Sequence, residues 1–161
     1  MKSFLFLTLL FWGIMSYGQT DKLDETVVAI DYTWFADLRE FGLTIDSSAI
    51  NYEVTSKYRN LTVSTYHGMV EPSQWENIIS QVSRIDLKKL NQILSPTVAR
   101  AGDGAPYAKL IIHTNKNTYE TQYFDAGVPM TEIWDVLFLI NEMLDVEILR
   151  CDEWRHNLKK P

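Results

Sequence analysis

Apolar side chains recur at every second position through the first part of the chain and at helical spacing after Pro72, and this change of period constrains the fold more than any other feature. Val28, Ile30, Tyr32 and Trp34 share one parity, the repeat of a half-buried strand. Phe41, Leu43 and Ile45 alternate again, Asp46-Ser47-Ser48-Ala49 breaks the pattern, and Ile50, Tyr52 and Val54 resume it. A four-residue loop pairs Ile45 with Ile50, Leu43 with Tyr52 and Phe41 with Val54, so all six side chains share one face. After a turn at 57–60, the alternating Leu61, Val63 and Thr65 read as the next strand of a meander.

Beyond Pro72, the residues Trp75, Ile78, Ile79 and Val82 follow the spacing of an amphipathic helix. Pro72 suits its first turn, and Ser73 and Glu76 have capping-box spacing. Leu87, Leu90, Ile93 and Leu94 continue as a second short helical piece, and 95–106, with Pro96, Gly102, Gly104 and Pro106, is the longest predicted loop. A second hairpin follows over 107–124. A turn at Lys116-Asn117 pairs Ile112 with Thr121, Leu110 with Tyr123, His113 with Glu120 and Ala108 with Asp125. That register assigns Leu110, Ile112 and Tyr123 to the core and Lys109, His113, Glu120 and Gln122 to water. Pro129 opens a final helix whose Ile133, Val136, Leu137, Ile140, Met143, Leu144 and Ile148 form a wide apolar stripe. The element order β-β-β-β-α-β-β-α predicts an α+β fold, an antiparallel sheet of hairpins with two helices packed on one face.

Residues 1–18 stand outside that fold. Lys2 is a minimal basic segment, 4–14 is an apolar run of secretory length, and Ser16 and Gly18 occupy the positions read by a signal peptidase. The run is shorter than the roughly 20 residues a membrane span needs. The expectation is cleavage before Gln19, a single domain over 19–150 and a tail over 151–161, exported to the periplasm, outer envelope or medium with no membrane span after cleavage. A net charge of -6 gives no footprint for nucleic acid or an anionic membrane. The single cysteine, Cys151, forms no internal disulfide; it is either exposed and able to pair between chains or buried beside Leu149 and Trp154.

No G-x-S-x-G elbow, P-loop, dinucleotide fingerprint or zinc-ligand spacing occurs, so neither catalytic residues nor a cofactor are assigned. His67, His113 and His156 are scattered, and His113 opposite Glu120 reads as a surface contact. Asn60-Leu61-Thr62 matches a glycosylation sequon that matters only on a eukaryotic route. The most informative expectation is geometric: the second hairpin brings loop 96–106 and turn 125–129 to one end of the sheet, where the last helix begins. Asp103, Gly104, Asp125 and Gly127 are there candidates for a partner-binding edge, and Asp103 with Asp125 for a calcium ion. Alternatively, Asp125 caps the helix or makes an Asx turn and Asp103 fills a Gly-flanked turn. Trp134 and Phe138 lie off the main helical stripe, and either the tail or a partner covers them.

Trp75, Ser95-Pro96-Thr97, Asp103-Gly104-Ala105, Tyr119 and the run Phe124-Asp125-Ala126-Gly127-Val128-Pro129 give the stretch 72–143 a pattern that resembles an uncharacterised family of small exported bacterial proteins. The resemblance implies an exported α+β domain and supplies no activity; Ala126 stands where such relatives are expected to carry His. The element order is also similar to that of emfourin-like metalloprotease inhibitors. The expected function is a non-enzymatic exported binding module contacting an exported or envelope protein through loops 96–106 and 125–129. An envelope assembly protein or an unrecognised hydrolase are the alternatives, and oligomeric state is left open.

Overall fold

The structure is a computed structural model that describes residues 25–36, 38–58, 61–102 and 105–144. The alternating stretches become β1 (Val27–Ala36), β2 (Arg39–Asp46), β3 (Ala49–Ser56) and β4 (Leu61–Met69), a meander of antiparallel neighbours. Helix α1 (Pro72–Val82) and a short 3-10 helix, Leu87–Gln92, carry the chain back across the sheet. The chain then enters β5 (Tyr107–Thr114), which pairs with β1 on the side away from β2. β6 (Thr118–Glu120) and β7 (Phe124–Asp125) both pair with β5, and α2 (Thr131–Met143) closes the fold. The sheet order is β4-β3-β2-β1-β5-β6, with β7 beside β6 on β5.

One face of this sheet and both helices share a single core. Ile30, Tyr32 and Trp34 are buried with the matching residues of β2, β3 and β5, against Ile78 and Val82 of α1 and Ile133, Val136, Leu137 and Ile140 of α2. The predicted α+β architecture is therefore present. Trp34 stacks on Phe41 at 4.9 Å and on Tyr32 at 5.3 Å between ring centres, an aromatic seam across β1 and β2. The segment leading into β1 is tied on as well, because Glu25 accepts hydrogen bonds from Thr114 (2.6 Å) and Asn117 (2.8 Å). Among the described residues no helix is long and apolar enough to cross a membrane.

The first hairpin has the expected register, Phe41 opposite Val54, Leu43 opposite Tyr52 and Ile45 opposite Ile50. Its strands run further than the pattern implied, leaving Ser47-Ser48 at the tip, where Asp46 accepts from the Ser48 and Ala49 N–H groups. The second hairpin differs. Ile112 lies opposite Tyr119, Ile111 opposite Glu120 and His113 opposite Thr118, whereas further along Ala108 faces Phe124 and Tyr107 faces Asp125. Two causes act: the turn is Asn115-Lys116, closed by the Thr114 N–H on the Asn117 carbonyl at 2.8 Å, and not the expected Lys116-Asn117, while further along the Thr121 N–H donates to the Leu110 carbonyl at 2.9 Å and its hydroxyl accepts from the Leu110 N–H at 3.0 Å. One residue serves both groups of Leu110, an extra residue bulges out, and the side-chain parity inverts. Phe124 is therefore buried and Tyr123 lies outside against Tyr107 and Phe35, correcting its assignment to the core.

Smaller corrections share local causes. The α1 capping box joins Glu71 and Gln74 instead of Ser73 and Glu76, with the Glu71 N–H donating to Gln74 at 2.9 Å. Leu61, Val63 and Thr65 locate β4 but are exposed, because β4 is the sheet edge and its register shifts opposite Val54/Thr55. Pro129 is buried just before α2, which begins at Thr131. The long loop contains a 3-10 turn, Ala99–Ala101. The leader 1–18, Asn60, Asp103, Gly104, Ile148, Cys151, His156 and the tail 151–161 lie outside the described residues.

Candidate functional site

Loop 95–102 and turn 125–128 meet at one end of the sheet, joined by Asp125. Pairing of Tyr107 with Asp125 fixes that residue at the β5 margin, and the Val128 N–H closes a turn on the Asp125 carbonyl at 2.8 Å. Asp125 is only 5% exposed, and its carboxylate points to the neighbouring loop. One oxygen accepts from the Arg100 N–H at 2.6 Å, and the other from the Ala99 N–H at 2.9 Å and from the Thr97 hydroxyl. The Arg100 guanidinium sits 3.8 Å from the carboxylate and donates to the Thr97 carbonyl at 2.7 Å. Burial pushes the Asp125 carboxyl up, but the Thr97 hydroxyl, the Arg100 and Ala99 N–H groups and the Arg100 charge outweigh it and hold it below the usual carboxylate range. Asp125 neither caps α2 nor stands open to solvent. It is an anchor that ties the adjacent loop to this end of the sheet.

The anchored loop and the residue just before it present apolar side chains outward. Leu94 is 74% exposed and Val98 72% exposed. Leu94 lines a depression of about 460 Å³ between 89–96 and the start of α2, together with Ile93, Pro96, Met130, Lys89 and Glu132. Gly127 and Trp134 are half-buried and Phe138 is 45% exposed. Of the sequence-named edge, the structure thus places Asp125 and Gly127 at the loop junction and Trp134 and Phe138 along α2. Leu94, Thr97, Val98 and Arg100 complete the junction and were missed. Leu94 and Val98 carry no sign of exposure in a sequence, where apolar residues beside a helical repeat read as core.

The histidines are placed elsewhere. His113 does not meet Glu120, which instead pairs with Lys109 at 2.7 Å. Its Nε2 lies 2.8 Å from Asp31 of β1 and its Nδ1 3.2 Å from the Thr118 hydroxyl, while the Thr44 hydroxyl donates to the other Asp31 oxygen at 2.7 Å. This hydroxyl–imidazole–carboxylate chain runs along the sheet face away from the helices, and Thr44 at its end is the one member that lines a depression on that face. His67 bonds to Asn51 at 2.6 Å on the same face. Among the described residues no group of three or more His, Cys, Asp or Glu is arranged to hold a metal ion. A cation at Asp125 would have to displace the donors from Thr97, Ala99 and Arg100.

No family model matches this chain, and no curated protein matches it.

Proposed function

We propose that the protein is a non-enzymatic binding module, exported by its 1–18 leader, that holds an envelope or exported protein at the loop junction. The observation that carries this reading is the Asp125 anchor, which fixes loop 95–102 while Leu94 and Val98 face solvent. A loop with a single conformation loses little entropy when it docks, so the apolar contacts it makes translate into affinity instead of ordering the loop. Covering one exposed Leu or Val is worth about 1.5–3 kcal/mol. The depression lined by Leu94 accepts an apolar side chain of the partner, and Glu132, with Lys89 held to Asp86 at 3.0 Å across from it, offers a charge to orient it.

The test places a photo-crosslinking residue at Leu94 or Val98, and at Lys88 as a control, in the full chain within the cell that produces it. Discrete adducts from 94 and 98, with none from 88, support the module; adducts of equal yield from all three sites, or none, reject it. The amino terminus of the protein recovered outside the cytoplasm is expected to be Gln19, and a retained Met1 would reject export by leader cleavage.

A further inference from the structure

The sheet face opposite the helices has one position in β1, β2 and β3 without a side chain. Gly42 of β2 lies between Thr33 of β1 and Glu53 of β3. A glycine within a strand weakens it, and the usual compensations are a left-handed backbone or a close approach by other atoms. Gly42 has neither: its φ is outside the left-handed region, and a Cβ there would meet nothing within 4 Å. At Gly68, by contrast, a Cβ would meet the Tyr66 hydroxyl at 2.7 Å. Nothing in the described fold requires a glycine at 42.

Gly42 floors a depression of about 350 Å³ over β2, β3 and β4. Its rim carries hydrogen-bonding capacity that the described residues leave unused. The His67 Nδ1 contact to Asn51 Oδ1 leaves the other ring nitrogen and Asn51 Nδ2 without hydrogen-bond partners among them. Thr62 and Thr55 both donate to one oxygen of Glu53, leaving its second oxygen open. Thr65 adds a hydroxyl. An anion finds no Lys or Arg on this rim, a cation finds a single carboxylate, and an apolar ligand would strand the polar groups. A neutral ring bearing hydroxyls fits: its flat C–H face rests on the glycine backbone, and its hydroxyls both donate and accept at the rim.

We propose that this face is a carbohydrate-binding site, with a neutral pyranose ring seated on Gly42 and held by Glu53, Asn51 and His67. The site is on the opposite side of the sheet from the helices and is independent of the loop junction.

Calorimetric and saturation-transfer titrations of the full protein with cellotetraose and chitotetraose, repeated on Gly42→Val and Glu53→Gln, test this. The expected result is saturable binding of at least one sugar, weakened about tenfold or more by Gly42→Val with no fall in Tm, and weakened also by Glu53→Gln. Retained folding with lost binding separates a ligand seat from a structural glycine. Binding of neither sugar overturns the proposal, as does binding that both variants leave unchanged. A lower Tm for Gly42→Val also overturns it, because the fold itself would then need the glycine. Saturable binding of an arginine-rich peptide in place of either sugar would make the face a protein contact and overturn the ligand class.

Discussion

The loop junction and the outer sheet face both display polar groups, and they use them in opposite ways. At the junction, both oxygens of Asp125 have donors from Thr97, Ala99 and Arg100, and the residues left facing water are apolar. On the outer face, Asn51 pairs with His67 and one oxygen of Glu53 takes two threonine hydroxyls, while Glu53, Asn51 and His67 each keep an unused atom among the described residues. Internal hydrogen bonding at the first site produces a rigid apolar platform suited to a protein surface. Unused capacity at the second leaves a polar seat suited to a small ligand. Polar residues therefore say little about where a chain binds until their partners are known.

The sharpest way to break this contrast is to remove the anchor. Asp125→Ala leaves the Ala99 and Arg100 N–H groups and the Thr97 hydroxyl without their acceptor, and is expected to lower stability by about 3 kcal/mol in denaturant unfolding. A loss within experimental error would mean that the loop holds its shape without Asp125.

The same carboxylate gives a pH dependence. Its folded pKa is lowered, so its contribution is fully present above the unfolded value of about 3.9 and disappears as pH falls through the folded value. Asp46 and Glu25, lowered chiefly by hydrogen bonds from Ser48 and from Thr114, act in the same direction. Stability measured downward from pH 5 is expected to fall less steeply in Asp125→Asn than in the wild type, and parallel acid limbs would refute the assignment.

Thr121→Val removes the hydroxyl that takes the Leu110 N–H, with an expected loss of about 1–2 kcal/mol read from the unfolding midpoint. It tests whether the bulge that turns Tyr123 outward rests on that one contact. The smallest expected effect has the opposite sign. Gly42→Ala is expected to raise stability by about 0.5–1 kcal/mol, since the new methyl meets nothing and the unfolded chain loses freedom. A loss there would erase the contrast between the two sites.

How far the sequence reached differs between the hairpins. The first was readable to the residue because alternation on both sides of Asp46-Ser47-Ser48-Ala49 permits one register. The second was not, because its turn sits at Asn115-Lys116, one residue before the expected pair, and because a threonine hydroxyl takes the Leu110 N–H while Tyr123 and Phe124 fit either parity equally well. The meeting of the two loops followed from hairpin geometry even with the register one residue off. What Asp125 does there was hidden, since two of its donors are main-chain N–H groups with no side-chain signature. The partner of His113 was hidden for another reason: Asp31 lies on β1, and the β1–β5 pairing follows from strand order, which periodicity does not encode.

Hydrogen exchange at the Ala99 and Arg100 amides tests most directly the central claim that Asp125 fixes loop 95–102 as a platform. Both amides are predicted to exchange about 100-fold or more slowly than in an unstructured peptide, and to lose that protection in Asp125→Ala. Exchange at the free-peptide rate in the unaltered protein would contradict the claim.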